Sequence, residues 1–315
     1  PILKAYSNAP QVDFRSGLTG KNVGLTGSSL GNLLVQKLRD TGAKRIILAG
    51  CPQHANPGDL LLCAGFHSAI LEAGLEIVQA LPWPELPSLA SDADTILLQG
   101  GGNFGDVYPH EMQFRMNVSR AFPDRRIIWL SQSIEYQCPQ RAQAEMQELA
   151  SMQHVEIWLR DSVSLSKAMA SGLKRACLVP DGLFGLRSTP ARYSPAGVRL
   201  EIRRCDQESQ EQLAAAKDWM LPGATMLHQV AEAWEMARKL FHNVRLVVTD
   251  RLHVHLLCVI SDIPNVLVAD RYGKNQGMFQ TFTHLHHRSR FAPQWQFVRL
   301  AEEELSAALP PSGDL

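Results

Sequence analysis

Neither acid nor base prevails in this chain: 31 lysines and arginines stand against 31 aspartates and glutamates in 315 residues, a formal net charge of zero. That balance leaves no long-range field to draw the protein to nucleic acid or to an anionic membrane, so a charged ligand must be met by a local patch. No stretch of about 18 consecutive apolar residues occurs, and a membrane-spanning helix is not expected. The opening PILKAYSNAPQVDFRSG has neither the apolar centre nor the cleavage pattern of a signal peptide, which reads as a soluble, cytoplasmic protein. Cysteine is sparse: Cys51, Cys63, Cys138, Cys177, Cys205 and Cys258 lie far apart without a CxxC pair. Buried free thiols are expected rather than a zinc centre or a disulfide framework. Repeats and low-complexity tracts are also missing.

What the chain does contain is alternation. Short β-rich runs, RIILAG (45–50), DTILLQG (94–100), RRIIWLSQ (125–132), EIWLR (156–160) and ACLVPD (176–181), read as buried strands. Between them, segments near 59–73, 110–122, 139–152 and 162–172 carry helical spacing, with Gly74 and Gly172 placed for left-handed stops. Such alternation builds a parallel sheet with helices on both faces. The aperiodic LRSTPARYSPAG (186–197) reads as a linker. Beyond it GVRLEIRR (197–204), a long helical stretch ending at 242–244, RLVVTD (245–250), a helix over 251–260 and NVLVAD (265–270) resume the pattern. The expectation is an α/β protein of two domains with a cleft between them. They cover residues 1–186 and 198–290, joined by a linker over 187–197, and the tail 291–315 packs its helical EEELSAAL back on the first.

In open parallel sheets ligands gather beyond the carboxyl ends of the strands, where helix N-termini converge. Each polar cluster here sits at such an end. In NPGD, Asp59 can cap the helix that Pro57 and Gly58 turn into; the alternative is that Asn56 and Asp59 bind sugar hydroxyls or a phosphate. In GGGNFGD, Gly100, Gly102 and Gly105 fit the GxGxxG spacing. A dinucleotide site would need a helix at the third glycine and an acid closing the next strand, and Val107-Tyr108-Pro109 and Ser131-Gln132 supply neither. The glycines read instead as room for close backbone approach to another ligand.

The run TDRLHVHLL places Asp250, Arg251, His253 and His255 at the start of an otherwise apolar helix. A capping Asp250 paired with Arg251 accounts for part of it. An anion docked on the helix N-terminus, held by Arg251 beside His253, accounts for all of it. His253 and His255 point to nearly opposite faces of a helix, so one of them is left for chemistry. Zinc held by these two and the HLHHR run at 284–288 has poor chelating geometry, and no metal is expected.

The ordered series NPGDLLL, LLQGGGNFGD, LSQSI, WLRDSVSLSKAM, VPDGLFGL, TDRLHVHLL and IPNVLVADRYGK resembles the polysaccharide pyruvyl transferases over most of the chain. The resemblance implies two Rossmann-like domains in a GT-B-like arrangement. It also implies transfer of pyruvate from phosphoenolpyruvate, a co-substrate rather than a cofactor, to two hydroxyls of a hexose, giving a cyclic ketal and phosphate. The acceptor would be a polysaccharide or lipid-linked repeat unit of bacterial exopolysaccharide biosynthesis, met at the inner face of the cytoplasmic membrane.

By the same resemblance His253 is the general acid/base and Arg251 the donor anchor. Arg160, Arg203, Arg204 and Lys274 are candidates to complete the phosphoenolpyruvate site. Asn56, Asp59, Gly102, Asn103, Asp106, Ser133, Glu135 and Tyr136 are candidates for the acceptor side. The family's third strand end commonly continues with a Gly-Pro turn, whereas here Ser133-Ile134 runs into Glu135-Tyr136-Gln137. That departure bears on the acceptor more than on the reaction. The competing enzyme reading is a GT-B glycosyltransferase using a nucleotide sugar, with Asp270 or Glu201 as ribose ligand. A glycan-binding protein that keeps the fold without catalysis is a third.

Overall fold

The computed structural model describes residues 26–53, 56–87, 92–186, 193–210 and 226–309. The chain runs α1 (Gly27–Asp40), β1 (Arg45–Cys51), α2 (Pro57–Glu72), β2 (Glu76–Pro82), β3 (Thr95–Leu98), β4 (Gly101–Gly105), α3 (Pro109–Ala121) and β5 (Arg126–Glu135). Then follow α4 (Pro139–Ser151), β6 (Val155–Leu159), α5 (Ser162–Ala170), β7 (Ala176–Leu178), β8 (Tyr193–Ile202), α6 (Met226–Leu240) and β9 (Val244–Thr249). The series closes with α7 (Leu252–Ile260), β10 (Asn265–Val268), α8 (Lys274–Thr281), β11 (Ser289–Ala292) and α9 (Val298–Ala308). One sheet has the order β2-β1-β3-β5-β6-β7 with β4 also on β5, the other β11-β10-β9-β8, and every pairing is parallel. The α/β class read from the alternation is therefore present in both.

Three elements depart from the expected pattern. Helix α1 lies ahead of the first expected strand, closed by a reciprocal Thr26–Ser29 capping box, with Leu30, Leu34, Val35 and Leu38 buried on one face. The glycine run is not an open loop: Gly101–Gly105 forms β4, which continues the line of β3 and pairs with the second half of β5. Glycine is needed there because a Cβ on Gly105 would stand 1.8 Å from the Glu135 carbonyl oxygen. Residues 193–197, expected in the linker, belong to β8; the bulge that lets both Tyr193 and Val198 face Val244 absorbs Pro195 on this edge strand. The remaining linker residues, 187–192, lie outside the described ones.

The C-terminal tail is a correction. Val298, Ala301 and Leu305 of α9 pack against Leu246, Val248, Val266, Val268 and Ala292, so the helix covers the second sheet and not the first domain. Strands β9 and β10 present alternate apolar side chains on that face, and α9 buries them. The thiols are also less buried than expected: all six are free, but Cys138 and Cys205 are exposed.

One hydrophobic cluster joins the two sheets. Leu30 of α1, Leu60 and Leu61 of α2, and Leu183 and Phe184 of a 3-10 turn at Gly182–Gly185 pack with Ile202, Val244, Val254 and Leu257. The turn approaches α2 so closely that a Cβ on Gly65 would lie 2.1 Å from the Gly182 carbonyl oxygen. Helix propensity alone makes Gly65→Ala stabilising by roughly 1 kcal/mol. The contact predicts the reverse, a loss of about 1–3 kcal/mol by overpacking, read as a lower midpoint in urea denaturation.

Candidate active site

Three helices begin where their preceding strands end, and their N-termini meet. Asn56 caps α2, its Oδ1 accepting the Gly58 N–H at 3.0 Å. Asp59, expected as the cap, sits in the first turn, where Asn56 Nδ2 donates to its Oδ2 at 2.8 Å. Helix α7 follows β9 with Arg251 at its cap, and α8 follows β10 from Gly273, a left-handed cap at φ 77°. Asp250 does not cap α7; its Oδ1 accepts the Arg204 N–H at 2.7 Å, and burial pushes its carboxyl up to about 6. Between these N-termini lies a cavity of about 510 Å³, lined from the first sheet by Asn56, Gly58, Asp59, Gly102, Asn103 and Arg160 and from the second by Arg204, Arg251, His253 and Lys274.

Four cations face this cavity, each already held. Arg160, at the end of β6, donates through Nε to Ser133 Oγ and through Nη1 to Asp181, both at 2.8 Å. Arg204 sets its fork on Asp206 at 2.9 and 3.0 Å and reaches Glu208 at 2.8 Å. Arg251 Nη1 lies 2.9 Å from the same Asp206, while its backbone N–H donates to Thr249 Oγ1. Lys274 Nζ donates to the Gly102 carbonyl at 2.7 Å and to Glu208 at 2.8 Å. Burial pushes Glu208 and Asp206 upward, yet Arg204 with Lys274, and Arg204 with Arg251, outweigh it and hold both below their ordinary range.

The two histidines separate as the helix period demands. His255 is wholly buried: its Nδ1 donates to Asn265 Oδ1 at 2.6 Å and its Nε2 accepts from Thr283 Oγ1 at 2.8 Å. Burial lowers it to about 3, so it is a neutral structural residue. His253 points into the cavity across Gly58, where an added Cβ would fall 2.4 Å from Nδ1. Its Nδ1 lies 3.7 Å from Asp59 Oδ1, and its buried Nε2 has no partner among the described residues. Burial holds its pKa below 6.5 although Asp181 and Asp59 pull the other way. Burial thus favours the neutral form of this ring, which lines the same cavity as the four cations.

Of the residues expected here, His253, Arg251, Arg160, Arg204, Lys274, Asn56, Asp59, Gly102 and Asn103 line the cavity. Arg203 does not; neighbours at a strand end face opposite ways, and its guanidinium bonds Glu201 and stacks 3.8 Å over Trp295. Asp106 accepts the N–H groups of Gln137 and Cys138 ahead of α4. Ser133 stands behind Arg160 and bonds Asp161, Glu135 pairs with Lys167, and Tyr136 donates to Glu145 while packing on Phe104. None of these five lines it. Asp181, Asp206, Glu208 and Tyr108 were missed. Asp181 stands in the strand-end run VPDG, whereas Asp206 and Glu208 sit in an aperiodic loop that carries no sequence signal.

Neither residue offered for a ribose ligand lines the cavity: Glu201 bonds Arg199 and Arg203, and Asp270 stands behind it, accepting the N–H of the lining residue Asn275 at the start of α8. The histidine run does not join His253. His286 and His287 gather instead around Asp262, which Arg288 approaches at 3.4 Å. No helix of the described residues is long and apolar enough to cross a membrane.

Comparison with known proteins gives the same direction. The polysaccharide pyruvyl transferase profile matches residues 26–271. EpsO of Bacillus subtilis (strain 168), named as a candidate pyruvyl transferase, is 26% identical over 273 residues, 75% of this chain and 85% of that one. Pyruvyl transferase 1 of Schizosaccharomyces pombe is 26% identical over 283 residues, 77% of this chain and 71% of that one. A solved structure of a functionally uncharacterised Klebsiella pneumoniae protein shares the fold, with TM-score 0.60 and 16% identity over 85% of this chain and 99% of that one.

The two imidazoles predict different phenotypes. His255→Ala strands Asn265 and Thr283 and costs about 2–4 kcal/mol, whereas His253→Ala changes stability by less than about 1 kcal/mol. Because the unfolded chain protonates His255 near 6.5 and the native one only near 3, its contribution to stability falls as pH drops through that window. Asp250, raised to about 6, acts with the opposite sign. As pH falls below 6.5 the urea midpoint of His255→Leu should therefore drop less than that of the native protein, or rise where Asp250 takes up its proton.

Proposed function

This chain belongs to the polysaccharide pyruvyl transferase family, and from that premise we propose that it moves pyruvate from phosphoenolpyruvate onto two hydroxyls of a hexose, closing a cyclic ketal and releasing phosphate. One observation supports the reading above others: four cations, three helix N-termini and an unpartnered imidazole nitrogen share one cavity. Phosphoenolpyruvate carries a phosphate and a carboxylate, which ask for convergent arginines, a lysine and N-terminal N–H groups. Arg251, Arg204, Lys274 and Arg160 are the proposed anchors. Asp206, with its side chain 36% exposed, is the carboxylate that an incoming anion displaces at least cost.

His253 starts neutral and takes the proton of the first acceptor hydroxyl as that oxygen attacks the central carbon of the donor. The imidazole relays this proton to the methylene carbon in the same step, so that the displaced C=C electron pair takes it up and the methylene becomes the methyl group of the product. Phosphate leaves with its bridging oxygen as the second hydroxyl closes the ketal, and that hydroxyl's proton goes out with phosphate. The two hydroxyl protons thus end one on carbon and one on phosphate. The proposed acceptor is a hexose of a polysaccharide or of a lipid-linked repeat unit at the inner face of the cytoplasmic membrane.

The roles separate in kinetics. His253→Ala should lose turnover by about 10²–10⁴-fold while keeping phosphoenolpyruvate affinity. Arg251→Ala should lose the affinity itself, and an unchanged donor dissociation constant by calorimetry removes the anchoring role. Since the neutral imidazole is the working form and its pKa lies below 6.5, kcat/KM should be level above that pH and fall on the acid side.

A further inference from the structure

A second cavity of about 300 Å³ opens beside the first and shares Asp59, Asn103 and Glu111 with it. Its polar lining is left unfinished. Gln99 is 5% exposed and Arg115 4%, yet both amide atoms of Gln99 and the Nε of Arg115 have no partner among the described residues, and neither has the buried Nε1 of Trp83. The rest of the Arg115 guanidinium is fixed, donating to the Gln99 carbonyl at 3.0 Å and to Asn103 Oδ1 at 2.6 Å. Buried polar atoms are almost always bonded, so three donors and one acceptor without a partner among the described residues, all on residues that line this cavity, point to a polar ligand.

We propose that this cavity is the acceptor subsite and holds one neutral pyranose ring, a proposal that rests on the pyruvyl-transfer reading for the name of its role. A hydroxyl both donates and accepts, which suits a wall built from Trp83, Gln99 and Arg115, whose buried N–H groups and Gln99 oxygen have no partner among the described residues, together with the Asp59 and Glu111 carboxylates. An anionic sugar would meet those two carboxylates at the mouth. Trp83, Leu98 and Phe114 supply an apolar wall for the C–H face of the ring. The shared mouth also fixes direction: Asp59 lies on it and stands 3.7 Å from His253. Hydroxyls projecting past Asp59 and Asn103 therefore reach the base and the donor, while the opposite side of the ring is read by Gln99 and Trp83. None of these three deep residues, Trp83, Gln99 or Arg115, belongs to the anion site.

The test is direct binding, measured by calorimetry with the methyl pyranosides of glucose, galactose and mannose, with and without phosphoenolpyruvate. The variants are Gln99→Leu, which keeps the volume and removes the amide, and Trp83→Phe, which keeps an aromatic ring and removes the N–H. One glycoside should bind the native protein and bind each variant about tenfold more weakly, with phosphoenolpyruvate affinity unchanged. Absence of binding by all three glycosides, or equal affinity for native protein and Gln99→Leu, overturns the subsite. Glycoside binding that weakens in Gln99→Leu, in a protein that does not take up phosphoenolpyruvate, keeps the subsite and removes the pyruvyl-transfer reading instead.

Discussion

Four cations are buried at the mouth of two sheets, and the rest of the site is arranged to make that tolerable. Arg160, Arg204, Arg251 and Lys274 are each less than a tenth exposed, at 2, 8, 7 and 6%. A buried charge is strongly unfavourable unless it is paired and hydrogen-bonded. Asp181, Asp206 and Glu208 provide the pairing, and Glu208 does so from one sheet's loop while receiving a hydrogen bond from Tyr108 of the other's. Lys274 extends the link to the Gly102 carbonyl. The same ionic network that balances the cations thus ties the two sheets together at the cavity, above the apolar cluster that joins them below. The proposed binding of an anion there would exchange one set of counter-charges for another.

The two neighbouring imidazoles are given different surroundings, and only that of His253 leaves a ring nitrogen without a partner among the described residues. His255 has a full set of neutral partners and is driven far below its ordinary pKa, which makes it a fixed strut between β10 and the turn after α8. His253 has the same burial pressure, but the charges of Asp181 and Asp59 oppose it and its buried Nε2 has no partner among the described residues. Two residues on one helix turn therefore differ in environment through period and partners, not through type.

Much of this was legible in the sequence, and the failures have physical causes. Strand–helix alternation identified the α/β class because buried parallel strands are continuous apolar runs. The strand-end rule then located Asn56, Asn103, Arg160, Arg251 and His253 without knowledge of the fold. It could not separate Ser133, Glu135, Tyr136, Asp106 and Arg203 from them, since which way a side chain faces at a strand end depends on register and local twist. Strand β4 was hidden because its pairing depends on a long β5 supplying a partner for a glycine run of poor intrinsic strand propensity. The counter-charges Asp206 and Glu208 lie on a loop without period, and only the tertiary demand of the arginines reveals them. The tail helix showed its amphipathic face plainly, but an amphipathic face does not say which sheet it covers.

The most direct test is phosphate release from phosphoenolpyruvate with a panel of hexosides, followed by mass spectrometry of the sugar. Phosphate release should depend on one hexoside, with that sugar gaining one pyruvate ketal per phosphate. Phosphate released without any ketal-bearing sugar, or sugar modification that requires a nucleotide sugar instead, would contradict the pyruvyl-transfer reading.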